Sequence, residues 1–301
     1  MIKYAKHFKE DKKMSLKDNR EKMVVISAMG RIHHPTIGRT GTMKTCHDGI
    51  ARVLPSLGGI TYNVKLGDCV FDKICDHVEP GVSMSNPNDR ENEALVMLAC
   101  VGNKAKVVSG EAKGAEGFVT GFHGGIEHTL LWFAQDDLEK MLPEDRILIK
   151  TCGQGLALED YPDVMLTGID PELLDKLNIT EKDGKLVVPV AGIVPSYLMG
   201  AGFGSGTGHT GDFDIMTADW DAIVENGLDK LRYGDIVMLK DCDTSYGRGY
   251  LKGAVTIGVV VHSDCTIMGH GPGVTTLMTC KTPVIEAVLD KCANLADYMG
   301  V

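Results

Sequence analysis

The chain lacks a basic balance, a long apolar run, a cysteine-pair motif and every common nucleophile or phosphate signature. Each absence removes a class of function. Its 31 Lys and Arg stand against 41 Asp and Glu, a formal charge of −10. A negative whole lacks the positive field that non-specific binding to nucleic acid or anionic lipid requires. Neither nucleic acid nor membrane is an expected partner. No apolar stretch nears the roughly 20 residues of a membrane-crossing helix. The segment 1–22 is charged throughout, so it lacks a signal-peptide core and reads as an arm. A cytoplasmic location is expected. The nine cysteines are odd in number and none forms C-x-x-C. A disulfide framework or zinc knuckle is therefore not expected, and most should be small buried groups. G-x-S-x-G, G-K-[ST] and H-E-x-x-H are all missing. A literal G-x-G-x-x-G occurs at Gly206, Gly208 and Gly211, but no clear strand precedes it and no apolar helix follows. A dinucleotide fold is not expected.

What the chain does have is glycine, 36 residues of it, beside an ordinary 44% of apolar residues. Glycine at that level without a collagen period implies many tight turns. The expected class is α+β and β-rich, with a small barrel-like first half and a mixed sheet with flanking helices in the second. Three regions are expected: the arm 1–22, a β-rich barrel-like domain 23–165, and an α/β-mixed catalytic domain 166–301. The run MVVISAM from Met23 reads as a buried strand. The stretch 67–84 alternates apolar and polar residues and predicts one or two strands, with His77 and Glu79 at a solvated strand end. Asp89 is the expected cap of a helix over Glu91–Cys100. Glycines at 110, 114, 117 and 121 space valine-rich pieces as in a small barrel.

In the second half, Asp170-Pro171 opens a helix, since proline suits the first helical position. Asp183-Gly184 marks a hairpin. A helix capped by Thr217 is expected over 217–232. The segment 251–264 is almost wholly apolar and β-branched, the pattern of a strand buried on both faces. It ends in His262, Ser263 and Asp264. An amphipathic helix is expected from about residue 282.

Three clusters have the content of a divalent-metal site, which needs neutral imidazoles and carboxylates. They are FHGGIEH (His123, Glu127, His128), GHTGDFD (His209, Asp212, Asp214) and VVVHSDCTIMGHGPG (His262, Asp264, His270). Asp212 and Asp214, two apart, share one side of an extended segment, as do His262 and Asp264. Glu127 and His128 point to opposite sides of a strand, so at most one joins His123. His262 carries the most weight, because a buried strand ending in polar residues delivers them to a sheet rim. Tyr246 and Arg248 in DTSYGRGY suit an anionic or carbonyl-bearing substrate. Gly271 in GHGPG lets backbone amides approach a ligand.

The runs GDCVFDKICDHVEPGVSMSNP, AKGAEGFVTGFHGGIEH and HSDCTIMGHGPGV resemble the domain-of-unknown-function family numbered 4438, over most of the chain beyond the arm. Residues 106–125 also resemble the KOW-type turn of SH3-like barrels. A more distant likeness, over the C-terminal third, is to acetamidase and formamidase enzymes. Gly208–Asp214 stands where their G-G-N-x-D segment would be. Gly253–Gly258 runs on to His262 at the spacing of their G-A-L-F-S-x-G-D-x-H. Val260 stands in place of that segment's aspartate, and Pro272 and Gly273 in place of a later acid.

The expected function is a metal-dependent hydrolase acting on a small carbonyl compound. The bond cut is a C–N bond of an amide or cyclic amide, or a C–C bond in the ring opening of a cyclic 1,3-diketone. The expected ligands are His209, Asp214, His262 and His123, around manganese or zinc, with Asp264 or Glu127 moving protons. A homo-oligomer is expected. The rivals are a non-catalytic SH3-like binding module and a hydrolase built on Cys265 or Ser263.

Overall fold

The computed structural model describes residues 16–37 and 44–301; the first fifteen residues of the arm lie outside them. Six strands close into an antiparallel barrel. Ile26–Ile32 pairs with Arg146–Thr151, which pairs with Lys104–Val107, then Glu116–His123, His128–Trp132 and Gly81–Ser85. Gly81–Ser85 returns to Ile26–Ile32 through Arg31↔Ser85 and Ile32↔Met84, which closes the ring at that end of the strand. The side chains of Ile32, Val82, Met84, Val119, Leu131 and Ile149 share its inner face.

The second half is a mixed sheet in the order Met165–Leu166, Gly273–Cys280, Gly249–Val260, Ile236–Asp243 and Gly192–Pro195. The last pairing is parallel and the others are antiparallel. The two-residue strand Phe213–Asp214 adds to Gly273–Cys280. A smaller sheet joins Thr180–Lys182, Lys185–Val190 and Ile285–Leu289. From Ala254 onward the central strand is buried on both faces, as its apolar run predicts. Ile257 and Val259 pack into the core shared with the barrel, while Val260 belongs to a second core with Phe213, Ile223 and Val237.

The barrel and sheet are stitched directly. Phe122 N–H donates to Thr275 Oγ1 at 3.0 Å, and the Thr275 hydroxyl donates back to the Phe122 carbonyl at 2.9 Å. This places the ends of strands Glu116–His123 and Gly249–Val260 side by side.

Several local expectations are corrected. The run from Met23 is not a buried strand: Val24, Val25 and Ile26 are 79%, 62% and 51% exposed. Over Ile26–Gly30 that strand pairs only with Arg146–Thr151, and its other flank meets side chains in place of a strand, the Asn86 amide donating to the Met29 carbonyl at 3.1 Å. Residues 67–80 form turns, and only Gly81–Ser85 is a strand. His77 sits at φ +58, which breaks any extended reading there. The helix at 89–98 is capped by Asn88. The helix expected at 217–232 shrinks to Trp220–Glu225, with Asp219 as cap and Gly227, at φ +69, just beyond its end. The C-terminal helix is confined to Leu295–Met299; the preceding Ile285–Leu289 is a strand parallel to Lys185–Val190. The Asp170-capped helix Pro171–Lys176 and the hairpin at Asp183-Gly184 form as the sequence predicts.

Candidate metal centre

Strand ends and the loops beside them gather five histidines and four carboxylates at the seam. His123 is the last residue of Glu116–His123, and His128 the first of the next strand. His262 lies two residues beyond Gly249–Val260. Asp212 and Asp214 flank Phe213, and the loop before Gly81–Ser85 brings Asp76, His77 and Glu79. His270 precedes strand Gly273–Cys280.

Glycine answers a packing need here. Gly211, at φ +70, stacks against Gly124, and an added Cβ would lie 2.5 Å from the Gly124 Cα. The Gly124 N–H donates to Asp212 Oδ1 at 2.7 Å, which fixes that carboxylate. A Cβ on Gly273 would fall 1.8 Å from Asp212 Oδ2 and 2.1 Å from His262 Nε2. Only a residue without a side chain permits those two atoms to meet there.

Three buried imidazoles are each held by Nδ1. His77 Nδ1 contacts Asp76 Oδ1 at 2.9 Å, and His123 Nδ1 contacts Glu79 Oε1 at 2.5 Å. His262 Nδ1 lies 2.9 Å from the Ser263 carbonyl, with the Gly273 N–H farther off at 3.3 Å. A carbonyl or carboxylate oxygen accepts, so each Nδ1 is the donor in these contacts, and Nε2 is the nitrogen left for the other side of the ring. Ligand nitrogens of His77, His123 and His262 lie within 4.8 Å of one another, as do ligand atoms of Asp212, Asp214 and His262. Atoms bound about 2.0–2.2 Å from one ion are at most about 4.4 Å apart, so a small contraction suffices.

His262 Nε2 is 2.7 Å from Asp212 Oδ2 and 3.6 Å from Asp214 Oδ1. Even so, Asp212 Oδ2, Asp214 Oδ2 and His262 Nε2 are all buried with no aligned hydrogen bond. Buried polar atoms left so cost about 1–3 kcal/mol each. Atoms that crowd together yet miss hydrogen-bond alignment fit a common cation in place of protons.

With no cation present, the acids draw protons onto the imidazoles, and a metal would have to displace those protons. Burial disfavours charge on His262, but Asp212 and Asp214 outweigh it and hold its pKa well above the usual histidine range. Burial is likewise outweighed at His77, where Asp214 and Asp76 raise the pKa. Burial would raise Asp214, but His262, His270 and His77 hold it well below the usual carboxylate range. Glu79 is fully buried, and His128 and His123 keep it well below its usual range against that burial. Its other partners are the Gly58 N–H at 2.8 Å and the Ser83 hydroxyl. Glu79 thus orients His123 from behind, the outer support that metal-binding imidazoles use.

The sequence-derived candidates divide. Asp214, His262 and His123 come together. His209 does not: it is half-buried and lines a separate surface pocket with Tyr246, so it is replaced in the cluster by His77. Tyr246 is 82% exposed, with the Lys281 ammonium 4.6 Å over its ring. Glu127 is exposed in a turn at φ +58, and its carboxylate accepts the Gly125 N–H. Asp264 Oδ1 accepts the Thr217 hydroxyl at 2.6 Å, outside the ligand groups, and burial raises its pKa. Arg248 is buried, donates to the Thr210 carbonyl and lies 5.4 Å over the Phe213 ring. It stands behind the acid pair and feels both charges. Gly271 is packed hard on the backbone, its virtual Cβ 1.8 Å from the Ile215 carbonyl oxygen, which makes it a packing position. Burial pushes the Cys265 thiol up, and Asp76, which accepts its S–H at 2.8 Å, adds to this. An activated nucleophile shows the opposite shift. Ser263 is buried, its hydroxyl bound between Val78 N–H and the Asp264 carbonyl.

The sequence offered His128 only as an alternative to Glu127 beside His123, and His77 and Glu79 only as a solvated strand end. The H-x-E spacing of His77 and Glu79 was the available signal.

A closed barrel joined to a mixed sheet, with a buried imidazole–carboxylate cluster at the seam, defines the class of protein. The chain belongs to the DUF4438 family: the N-terminal model of that domain of unknown function matches residues 43–175 and the C-terminal model residues 176–299. The crystal structure of TM1086 is similar, at 45% identity and a TM-score of 0.89, over 94% of this chain and 99% of that one. Comparison with curated proteins gave no match. The likeness to acetamidase and formamidase enzymes rests on the residues quoted for it and not on these matches.

Proposed function

We propose that the protein is a metal-dependent hydrolase acting on a small carbonyl compound. One observation carries this reading: three buried imidazoles, each with Nδ1 occupied, face two buried carboxylates whose inward oxygens lack aligned hydrogen bonds. A divalent cation there would supply carbonyl polarisation and a lowered pKa for water. The chain's own part is to fix the donors: Glu79 holds His123, Asp76 holds His77 and the Ser263 carbonyl holds His262. The mixed nitrogen and oxygen donor set suits zinc or manganese. His270, its side chain 34% exposed, marks the side from which a substrate reaches the cluster. The class of scissile bond is an amide or cyclic amide C–N, or a ring C–C of a cyclic 1,3-diketone.

The test is elemental analysis of purified protein and of His262→Ala, with a hydrolysis panel of simple amides, cyclic imides and cyclic diketones. The expected result is stoichiometric zinc or manganese, lost in the variant, and turnover abolished by a chelator. Metal-free active protein would end the proposal. Turnover that survives a chelator and stops with a thiol reagent would move the chemistry to Cys265.

A further inference from the structure

The donors around the seam outnumber what one ion can use. His77, His123, His262, His270, Asp212 and Asp214 all contribute, and a catalytic zinc typically takes about three protein ligands. Their arrangement separates them into two sets through Asp214. Its Oδ1 faces His262 Nε2 at 3.6 Å, on the side where Asp212 Oδ2 lies 2.7 Å from that nitrogen. Its Oδ2 faces the other way, 3.0 Å from His270 Nδ1 and 3.5 Å from His77 Nε2.

His77 Nε2 and His270 Nδ1 are themselves 3.2 Å apart. The triangle of Asp214 Oδ2, His77 Nε2 and His270 Nδ1 thus has edges of 3.0, 3.2 and 3.5 Å. Donors about 2.1 Å from a shared ion are about 3.0–3.4 Å apart in octahedral or tetrahedral geometry. The triangle is one coordination face, formed in advance. Asp214 Oδ2, at its apex, is buried with no aligned hydrogen bond. Cys265 Sγ stands nearby, within 4.8 Å of a ring nitrogen of His77 and of one of His270.

We propose that the centre holds two divalent cations bridged by the Asp214 carboxylate. The first sits among Asp212, His262, His123 and Asp214 Oδ1, the second among His77, His270 and Asp214 Oδ2 with Cys265 beside it. Two imidazoles and a nearby sulfur select a first-row transition ion for the second position, not magnesium or calcium. A carboxylate-bridged pair about 3.5–4 Å apart would present two cations to one substrate oxygen or water. This inference rests on the metal-centre reading above.

The experiment loads full-length wild type and His270→Ala with manganese alone, removes the excess, and counts metal per chain. Electron paramagnetic resonance is recorded on both. His270 is partly exposed and outside the Asp212–Asp214–His262 group, so its removal spares the first position and the fold. The expected result is about two manganese per wild-type chain, with the signal of an exchange-coupled pair. His270→Ala should keep about one, with the hyperfine pattern of an isolated ion. One ion in wild type overturns the second position and leaves the proposed hydrolase standing. Two ions in both proteins overturn the assignment to His270. No bound metal in either defeats both proposals together.

Discussion

Gly273 controls how closely Asp212 and His262 approach. Its missing side chain leaves the space in which Asp212 Oδ2 and His262 Nε2 meet. Gly273→Ala should therefore weaken manganese binding at least about tenfold, in line with the cost of disturbing ligand orientation, while leaving the far-ultraviolet circular dichroism unchanged. Metal titration with wild-type affinity in that variant would show that the close approach is incidental. At this scale Asp212, Asp214 and His262 were legible, because two-residue spacing and a strand end fix where such side chains point. His123 stood out only through the company of Glu127 and His128 in FHGGIEH. His209 misled because it adjoins the acids in sequence. Gly208 packs so tightly on the Thr244 backbone, with a virtual Cβ 2.1 Å from its oxygen, that the following residue is carried toward Tyr246 and away from the cluster. His77 and Glu79 were read as solvated, since alternation cannot distinguish a strand end from a loop that turns inward.

Elements were legible where the signal is local. The helix after Asp170-Pro171 and the Asp183-Gly184 hairpin depend on neighbours in sequence, and both form. The strand Ile285–Leu289 depends on a partner about a hundred residues away, and so it passed for a helix. The first helix supplies a test of the finer kind. Asn88 accepts the N–H groups of Arg90 and Glu91, both at 3.1 Å, whereas Asp89 is already helical. Asn88→Ala should cost about 1 kcal/mol in denaturant unfolding, and Asp89→Ala clearly less. The reverse ranking would return the cap to Asp89.

At the scale of the whole molecule, glycine rhythm foretold a barrel followed by a mixed sheet, but not that the chemistry would sit between them. Because the candidate ligands come from both parts, a cation bound as proposed would tie the two together. Ligand that binds only the folded state stabilises it by mass action, about 2.7 kcal/mol at a hundredfold excess over Kd. Manganese should then raise the melting temperature in a concentration-dependent way, with the barrel and the sheet unfolding in one transition. A chelator should reverse it. A melting temperature indifferent to both additions would mean that the seam carries no cation. None of the helices is long and apolar enough to cross a membrane among the described residues.

Phe213 has its ring in the second core and its backbone paired with Val274, and an acid stands on each side of it. Neither carboxylate can retreat toward water without dragging an aromatic ring out of its packing. The negative charge is therefore assembled in advance, and a cation bound as proposed would leave the protein little rearranging to do.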